Sequence, residues 1–198
     1  MQRRGLDEDA LAALAQTLGA VLEGGEVLFL EGPLGAGKTT FVRALGAALG
    51  LDAPGRVCSP TFTVCMVHEG RVPLLHVDLY RLGEAGPMGA ASAAFEALDL
   101  EAVAETLSRP PVVAVEWPAY FDDPPADRLE VRLAYEGPDR RRIEAGAVGP
   151  VAAARLAAWC ARAAPPSGSD GAPGSGDAVH GSSSGTSSIC QRSNTAGG

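Results

Sequence analysis

Lysine is almost missing from this chain: 15 of its 16 basic residues are arginine, and the exception is Lys38. Positive charge is scarce altogether, because 24 acidic residues leave a formal net charge of −8. That balance excludes a protein that grips nucleic acid through a basic field of its own, so any RNA is expected to be held by another protein. No apolar run approaches the roughly 20 residues of a membrane-spanning helix, and no membrane role is expected. Cys58, Cys65, Cys160 and Cys190 form no C-x-x-C pair and no tight framework, the usage of reduced thiols in a cytosolic protein. A zinc set of Cys58, Cys65, His68 and His76 fails on a strand, where Cys65 and His68 lie an odd number of positions apart and face opposite sides. Arg3 and Arg4 are followed by Asp7-Glu8-Asp9, which interrupts any signal-peptide or transit-peptide pattern. A cytoplasmic protein is expected.

Against these absences stands one stretch, Gly32-Pro33-Leu34-Gly35-Ala36-Gly37-Lys38-Thr39. It fits the phosphate-binding pattern G-x-x-x-x-G-K-[ST] at every required position. The apolar run Val27 to Leu30 before it reads as a buried strand, and Phe41, Leu45 and Leu49 after it mark a helix face. In that setting the glycines let backbone N–H groups curl around phosphates at the positive end of the helix. Lys38 is expected to neutralise phosphate oxygens and the Thr39 hydroxyl to ligate Mg²⁺. Composition cannot explain a lysine at this one position, whereas a compact ammonium suits a point contact with phosphate.

With 198 residues, 46% of them hydrophobic, the chain can bury one core. A P-loop domain over residues 1–164 and a disordered Gly/Ser/Pro-rich tail over 165–198 are expected. Asp7 can cap a first helix carrying Leu11, Leu14, Leu18, Val21 and Leu22, ended by Gly24-Gly25. The phosphate-loop helix ends at Gly50. Thr61 to Val67 and Val72 to Leu79 read as a hairpin that delivers Asp78 at a strand end. Residues 83–94 read as a loop or insertion, and Phe95 to Leu107 as a helix. Val112 to Val115 is a buried strand expected beside the phosphate-loop strand, with Glu116 emerging where the metal would sit. Leu129 to Tyr135 and Arg140 to Val148 make a second hairpin, and Pro150 opens a last helix with Leu156, Trp159, Cys160 and Ala163 on one face.

Three segments in this order, GPLGAGKTT at 32–40, SPTFT at 59–63 with DLYRL at 78–82, and Glu116-Trp117-Pro118, resemble the TsaE (YjeE) family. The resemblance covers about residues 7 to 163. It implies an α/β P-loop NTPase-like three-layer fold, with a mainly parallel core sheet extended by antiparallel hairpins. It also implies an ATPase needed for threonylcarbamoyladenosine in tRNA, working with TsaB and TsaD and touching tRNA only through them. Carried over residue by residue, Gly32, Pro33, Leu34, Gly35, Ala36, Gly37, Lys38, Thr39 and Thr40 hold the nucleotide, and Trp117 lies against it. Thr39, Glu116 and Thr61 serve the metal, and Lys38, Asp78 and Glu116 are the catalytic set. Asp78 would orient the attacking water or accept its proton.

Plainer roles stand beside these: Asp78 as a cap at a strand end, Thr61 as a turn residue, Trp117 as core. The chain departs from the family at Pro33, where Asp is common, at Leu11, where a polar residue near the base is usual, and in the length of 83–94. Two other enzyme readings share the loop. A small-molecule kinase would carry an arginine-bearing lid, and no compact lid segment stands out between Thr40 and Val112. A GTP switch would need an Asn-Lys-x-Asp loop, which a chain whose only lysine is Lys38 cannot supply, so ATP is favoured. A nucleotide-bound assembly factor with little hydrolysis is the non-enzymatic alternative.

Overall fold

Two five-residue runs, Leu74–Asp78 and Val112–Glu116, are buried at every position, the mark of parallel strands covered on both faces. They lie at the heart of a computed structural model that describes residues 1–85, 99–120 and 124–164. In chain order the elements are β1 (Gln2–Leu6), α1 (Glu8–Gly19), β2 (Val27–Glu31), α2 (Lys38–Leu49), β3 (Cys65–His68), β4 (Leu74–Asp78) and α3 (Tyr80–Ala85). Then come α4 (Leu100–Thr106), β5 (Val112–Glu116), β6 (Arg128–Tyr135), β7 (Arg141–Val148) and α5 (Pro150–Arg162).

The strands form one seven-stranded sheet in the order β1-β7-β6-β2-β5-β4-β3. Its four central strands, β6, β2, β5 and β4, are mutually parallel. The β6–β7 hairpin, with β1 beyond it, extends one side antiparallel, and β3 extends the other. This is the expected mixed α/β architecture, a parallel core lengthened by hairpins, with β5 beside the phosphate-loop strand.

The period of two sorts the strand residues onto two faces. Leu28 and Leu30 of β2, Leu74 of β4, and Val112 and Ala114 of β5 pack with α1, α2 and Trp159 of α5. Phe29, Leu75, Val77, Val113 and Val115 form the second cluster with Leu79. By the same alternation His76, Asp78 and Glu116 share a face with Leu74, Val112 and Ala114, the face on which α2 lies.

Several boundaries differ from expectation for local reasons. Helix α1 is capped by Asp7 as expected, its carboxylate accepting the Ala10 amide, but ends at Gly19 and not near Gly24. Gly19 explains the tight seat of α1 on α2: a Cβ there would stand 2.6 Å from the Leu45 carbonyl oxygen. The strand expected from Thr61 begins at Cys65, because the Thr63 and Val64 amides both turn back to the Pro60 carbonyl and Val64 takes φ +65°. Its partner begins at Leu74, not Val72. Residues 83–85, read as loop, complete α3. Strand β1 was not anticipated, since its burial follows no alternation and a bulge interrupts its pairing with β7. Phe95, Leu98, Cys190, most of the 83–94 segment and the expected tail at 165–198 lie outside the described residues.

Candidate nucleotide and metal site

Strand β2 ends at Glu31 and α2 begins at Lys38, so six residues must reverse the chain between sheet and helix. Gly32 does so at φ +146° against β6, where a Cβ would stand 2.4 Å from the Leu133 carbonyl oxygen. Gly37 enters α2 at φ +101° with no side-chain cap, leaving the first-turn amides without a side-chain acceptor at the positive end of the helix. The loop is braced from inside by the Ala36 amide on the Pro33 carbonyl (3.1 Å) and from outside by the Tyr135 hydroxyl on the Leu34 carbonyl (2.8 Å).

Lys38 turns back over this loop. Its Nζ donates to the carbonyls of Gly32 (2.8 Å) and Pro33 (3.1 Å) and lies 4.0 Å from the centre of the Trp117 ring. The residue is 4% exposed. Burial pushes its ammonium below the ordinary lysine range, and the Glu116 and Asp78 carboxylates oppose that shift. An anion entering the loop would find a desolvated cation already aimed along it.

Asp78 and Glu116 are register partners at the carboxyl ends of the neighbouring strands β4 and β5, and Leu30 is the partner of Glu116 on the other side. Parallel strands thus bring the loop and both carboxylates to one edge of the sheet, the usual place for ligands in open α/β folds. Glu116 Oε1 accepts from the Thr39 hydroxyl at 2.9 Å and lies 3.0 Å from His76 Nε2. Asp78 Oδ2 accepts from the Ser59 and Thr61 hydroxyls, the latter at 2.7 Å, while Oδ1 accepts the Tyr80 amide at 3.0 Å. The capping reading of Asp78 and the turn reading of Thr61 therefore both describe real contacts, made by residues that also face the site.

A cavity of about 320 Å³ is lined by Lys38, Thr39, Thr40, Thr61, Asp78, Glu116 and Trp117, together with Leu34, Gly35, Gly37, Ser59 and Tyr80. Trp117 is half-buried at φ +63° with its ring 4.8 Å from that of Tyr80; it packs against the second cluster, as the core reading has it, and also lines this cavity. A second cavity of about 560 Å³ shares Gly35, Gly37 and Thr40 and continues past Leu11 to Asp7, Asp139 and Arg141. Thr61 stands apart from the Thr39–Glu116 pair, on the Asp78 side. Of the arginines considered for the site, Arg81 stacks on Phe62 at 4.0 Å, Arg140 pairs with Asp7, Arg141 covers Tyr135 and Arg142 pairs with Glu144.

Sequence reasoning gave no role to three residues. Ser59 and Tyr80 lay inside quoted motifs, two residues from Thr61 and Asp78. His76 was weighed only as a zinc ligand, and among the described residues no group of three or more His, Cys, Asp or Glu could hold a metal ion. The signal for His76 was its place two residues before Asp78 on a fully buried strand, which puts it on the face of the carboxylates.

A strand, a glycine loop and a helix at the carboxyl end of a parallel sheet, with a hydroxyl and a carboxylate meeting beside the lysine, define a P-loop NTPase-like protein. The fold matches the crystal structure of Bacillus subtilis YdiB with a TM-score of 0.60 and 29% identity, covering 81% of this chain and 94% of that one. The family described as "Threonylcarbamoyl adenosine biosynthesis protein TsaE" matches residues 6–143. The tRNA threonylcarbamoyladenosine biosynthesis protein TsaE of Nostoc sp. is 39% identical over 140 residues, 70% of this chain and 80% of its own length. That of Bacillus subtilis is 36% identical over 148 residues, 74% of this chain and 85% of its own. The chain belongs to the TsaE family.

Proposed function

We infer that this protein binds ATP with Mg²⁺ in the smaller cavity and hydrolyses it in the service of threonylcarbamoyladenosine formation in tRNA, together with TsaB and TsaD. The observation that carries the reading is the meeting of Thr39 and Glu116 at 2.9 Å in front of a phosphate loop whose helix has no side-chain cap. A hydroxyl and a carboxylate are hard oxygen donors of the kind Mg²⁺ takes in nucleotide sites, so the residues present fit the metal. Bound there, it would neutralise charge on the phosphates and polarise them. Residues 1–164 would form the ATPase domain, and 165–198 a solvated tail.

The chain's own part follows from its contacts. Lys38 exchanges the carbonyls of Gly32 and Pro33 for phosphate oxygens, with Trp117 shielding it from water. Gly35 to Thr40 supply backbone donors and the Thr40 hydroxyl. Asp78 orients the attacking water and takes its proton, which requires its Oδ2 to be released from Ser59 and Thr61. Thr61 joins the metal only by leaving Asp78. Among the described residues Lys38 is the one cationic side chain lining the smaller cavity, and the arginines near it are engaged elsewhere. Slow hydrolysis by the isolated protein is therefore expected. Activation of at least about tenfold is expected with TsaB and TsaD, since a cation placed on the transferring group is worth about 10³ to 10⁵ in rate.

Threonylcarbamoyladenosine in tRNA, quantified after depletion of this protein, should fall. Unchanged modification sinks the pathway, and a hydrolysis rate indifferent to both folded partners sinks the activation.

A further inference from the structure

Among the described residues, Glu26 is accounted for by its ion pair with Arg155, and Lys38, Asp78 and Glu116 by the phosphate loop, whereas His76 is a buried ionisable side chain that neither explains. It is fully buried in the middle of β4 with Nδ1 unpartnered. An apolar side chain would fill the strand without that orphan, so folding alone gives no reason for an imidazole. Among the described residues its single hydrogen-bond contact is Nε2 with Glu116 Oε1 at 3.0 Å, across to the next strand and two positions on. Directly opposite His76 stands Ala114, which leaves that diagonal open. A carboxylate oxygen accepts, so the proton of the contact sits on Nε2.

The Thr39 hydroxyl donates to the same oxygen, Oε1. Oε2 receives no protein donor among the described residues. Two donors from different elements, one on α2 and one on β4, fix the rotation of the carboxylate about its last bond and leave its other oxygen for a ligand. Resting on the nucleotide and metal reading above, we propose that His76 is a positioning residue: it holds Glu116 so that Oε2 is presented to the magnesium ion of a bound nucleotide. Outer partners of metal-ligating carboxylates act in this way, by removing freedom the ligand would otherwise lose on binding.

The test uses the full chain and a fluorescent ATP analogue, titrated with Mg²⁺ and, separately, with EDTA present. His76→Leu should raise the half-saturating Mg²⁺ about tenfold or more. It should leave the EDTA affinity unchanged and the Tm no lower than that of the unaltered protein, because the buried orphan is removed. His76→Gln, whose amide reaches as far as Nε2, should restore the Mg²⁺ requirement; His76→Asn, whose amide stops short, should not. An unaltered requirement in His76→Leu, or equal losses with Mg²⁺ and with EDTA, overturns the proposal. If His76→Leu fails to fold, equal behaviour of the Gln and Asn variants overturns it. An unaltered protein whose binding ignores Mg²⁺ would instead defeat the metal reading itself.

Discussion

Strand β2 carries a charged residue beside each end, and the two ends are finished in opposite ways. Before its start, buried Glu26 accepts the Glu23 and Gly24 amides at 3.1 and 2.8 Å and the Arg155 Nε at 2.7 Å. Arg155 also reaches Glu23, so this clasp ties α5 to the turn before β2 with every charged group hydrogen-bonded. Beyond its other end, Lys38 donates to two carbonyls and lies on an aromatic face with no direct ion pair among the described residues, and His76 keeps a buried nitrogen without a partner. Complete satisfaction marks the end that stabilises the fold, and incomplete satisfaction marks the end proposed to take a ligand.

The sharpest way to break this contrast is to cut the clasp. Glu26→Ala leaves the Arg155 guanidinium with Glu23 alone and two amides without their acceptors, and should cost about 2 to 4 kcal/mol of unfolding free energy in urea melts, with nucleotide binding at low temperature retained. A loss below 1 kcal/mol would show the clasp to be ornamental. At the other end Lys38→Ala should weaken ATP binding by about 1.5 to 3 kcal/mol or more, without lowering stability, and Lys38→Arg should fail nearly as badly. A calorimetric titration beside a thermal melt of each variant separates the two quantities.

Within the site the carboxylates divide the contrast further. Asp78→Asn keeps an acceptor for the Tyr80 amide, so it should bind Mg-ATP normally yet hydrolyse it about 10²-fold more slowly. Glu116→Ala should weaken Mg²⁺-dependent binding about tenfold. Equal losses of binding and turnover in both would mean the labour is not divided. The smallest effect lies away from both ends, on β3, where burial pushes the Cys65 thiol from its ordinary 9.0 up to about 11. The folded state therefore favours the protonated thiol, so its stabilising share is complete below about pH 9 and is lost as pH rises towards 11. Cys65→Ala should flatten that alkaline decline in urea melts, and an unchanged slope would assign it to other groups.

The parts of the molecule legible in the sequence were those written by a short-range rule. The loop at 32–39 declares itself by its fixed residues, and β4 and β5 by largely apolar runs that end in a carboxylate. What stayed hidden depended on lateral neighbours. Strand β1 exists because β7 offers it an edge, and nothing in Gln2-Arg3-Arg4-Gly5-Leu6 requires a strand. His76 gains meaning only from the register that sets Ala114 opposite it and Glu116 diagonally beyond. Ser59 meets Asp78 because a turn at 60–64 folds the chain back, ahead of the strand expected from position 61.

The burial of the only lysine under Trp117 has a practical corollary in protein chemistry. Apart from the α-amino group of Met1, the chain has a single aliphatic amine, and it lies in the phosphate loop. Amine-directed acylating reagents therefore have one side-chain address, 4% exposed before any ligand arrives. The extent of labelling, read as one mass increment on one peptide, becomes a direct gauge of loop occupancy. Acylation of this chain at lysine would likewise fall on the loop that leads from β2 into α2.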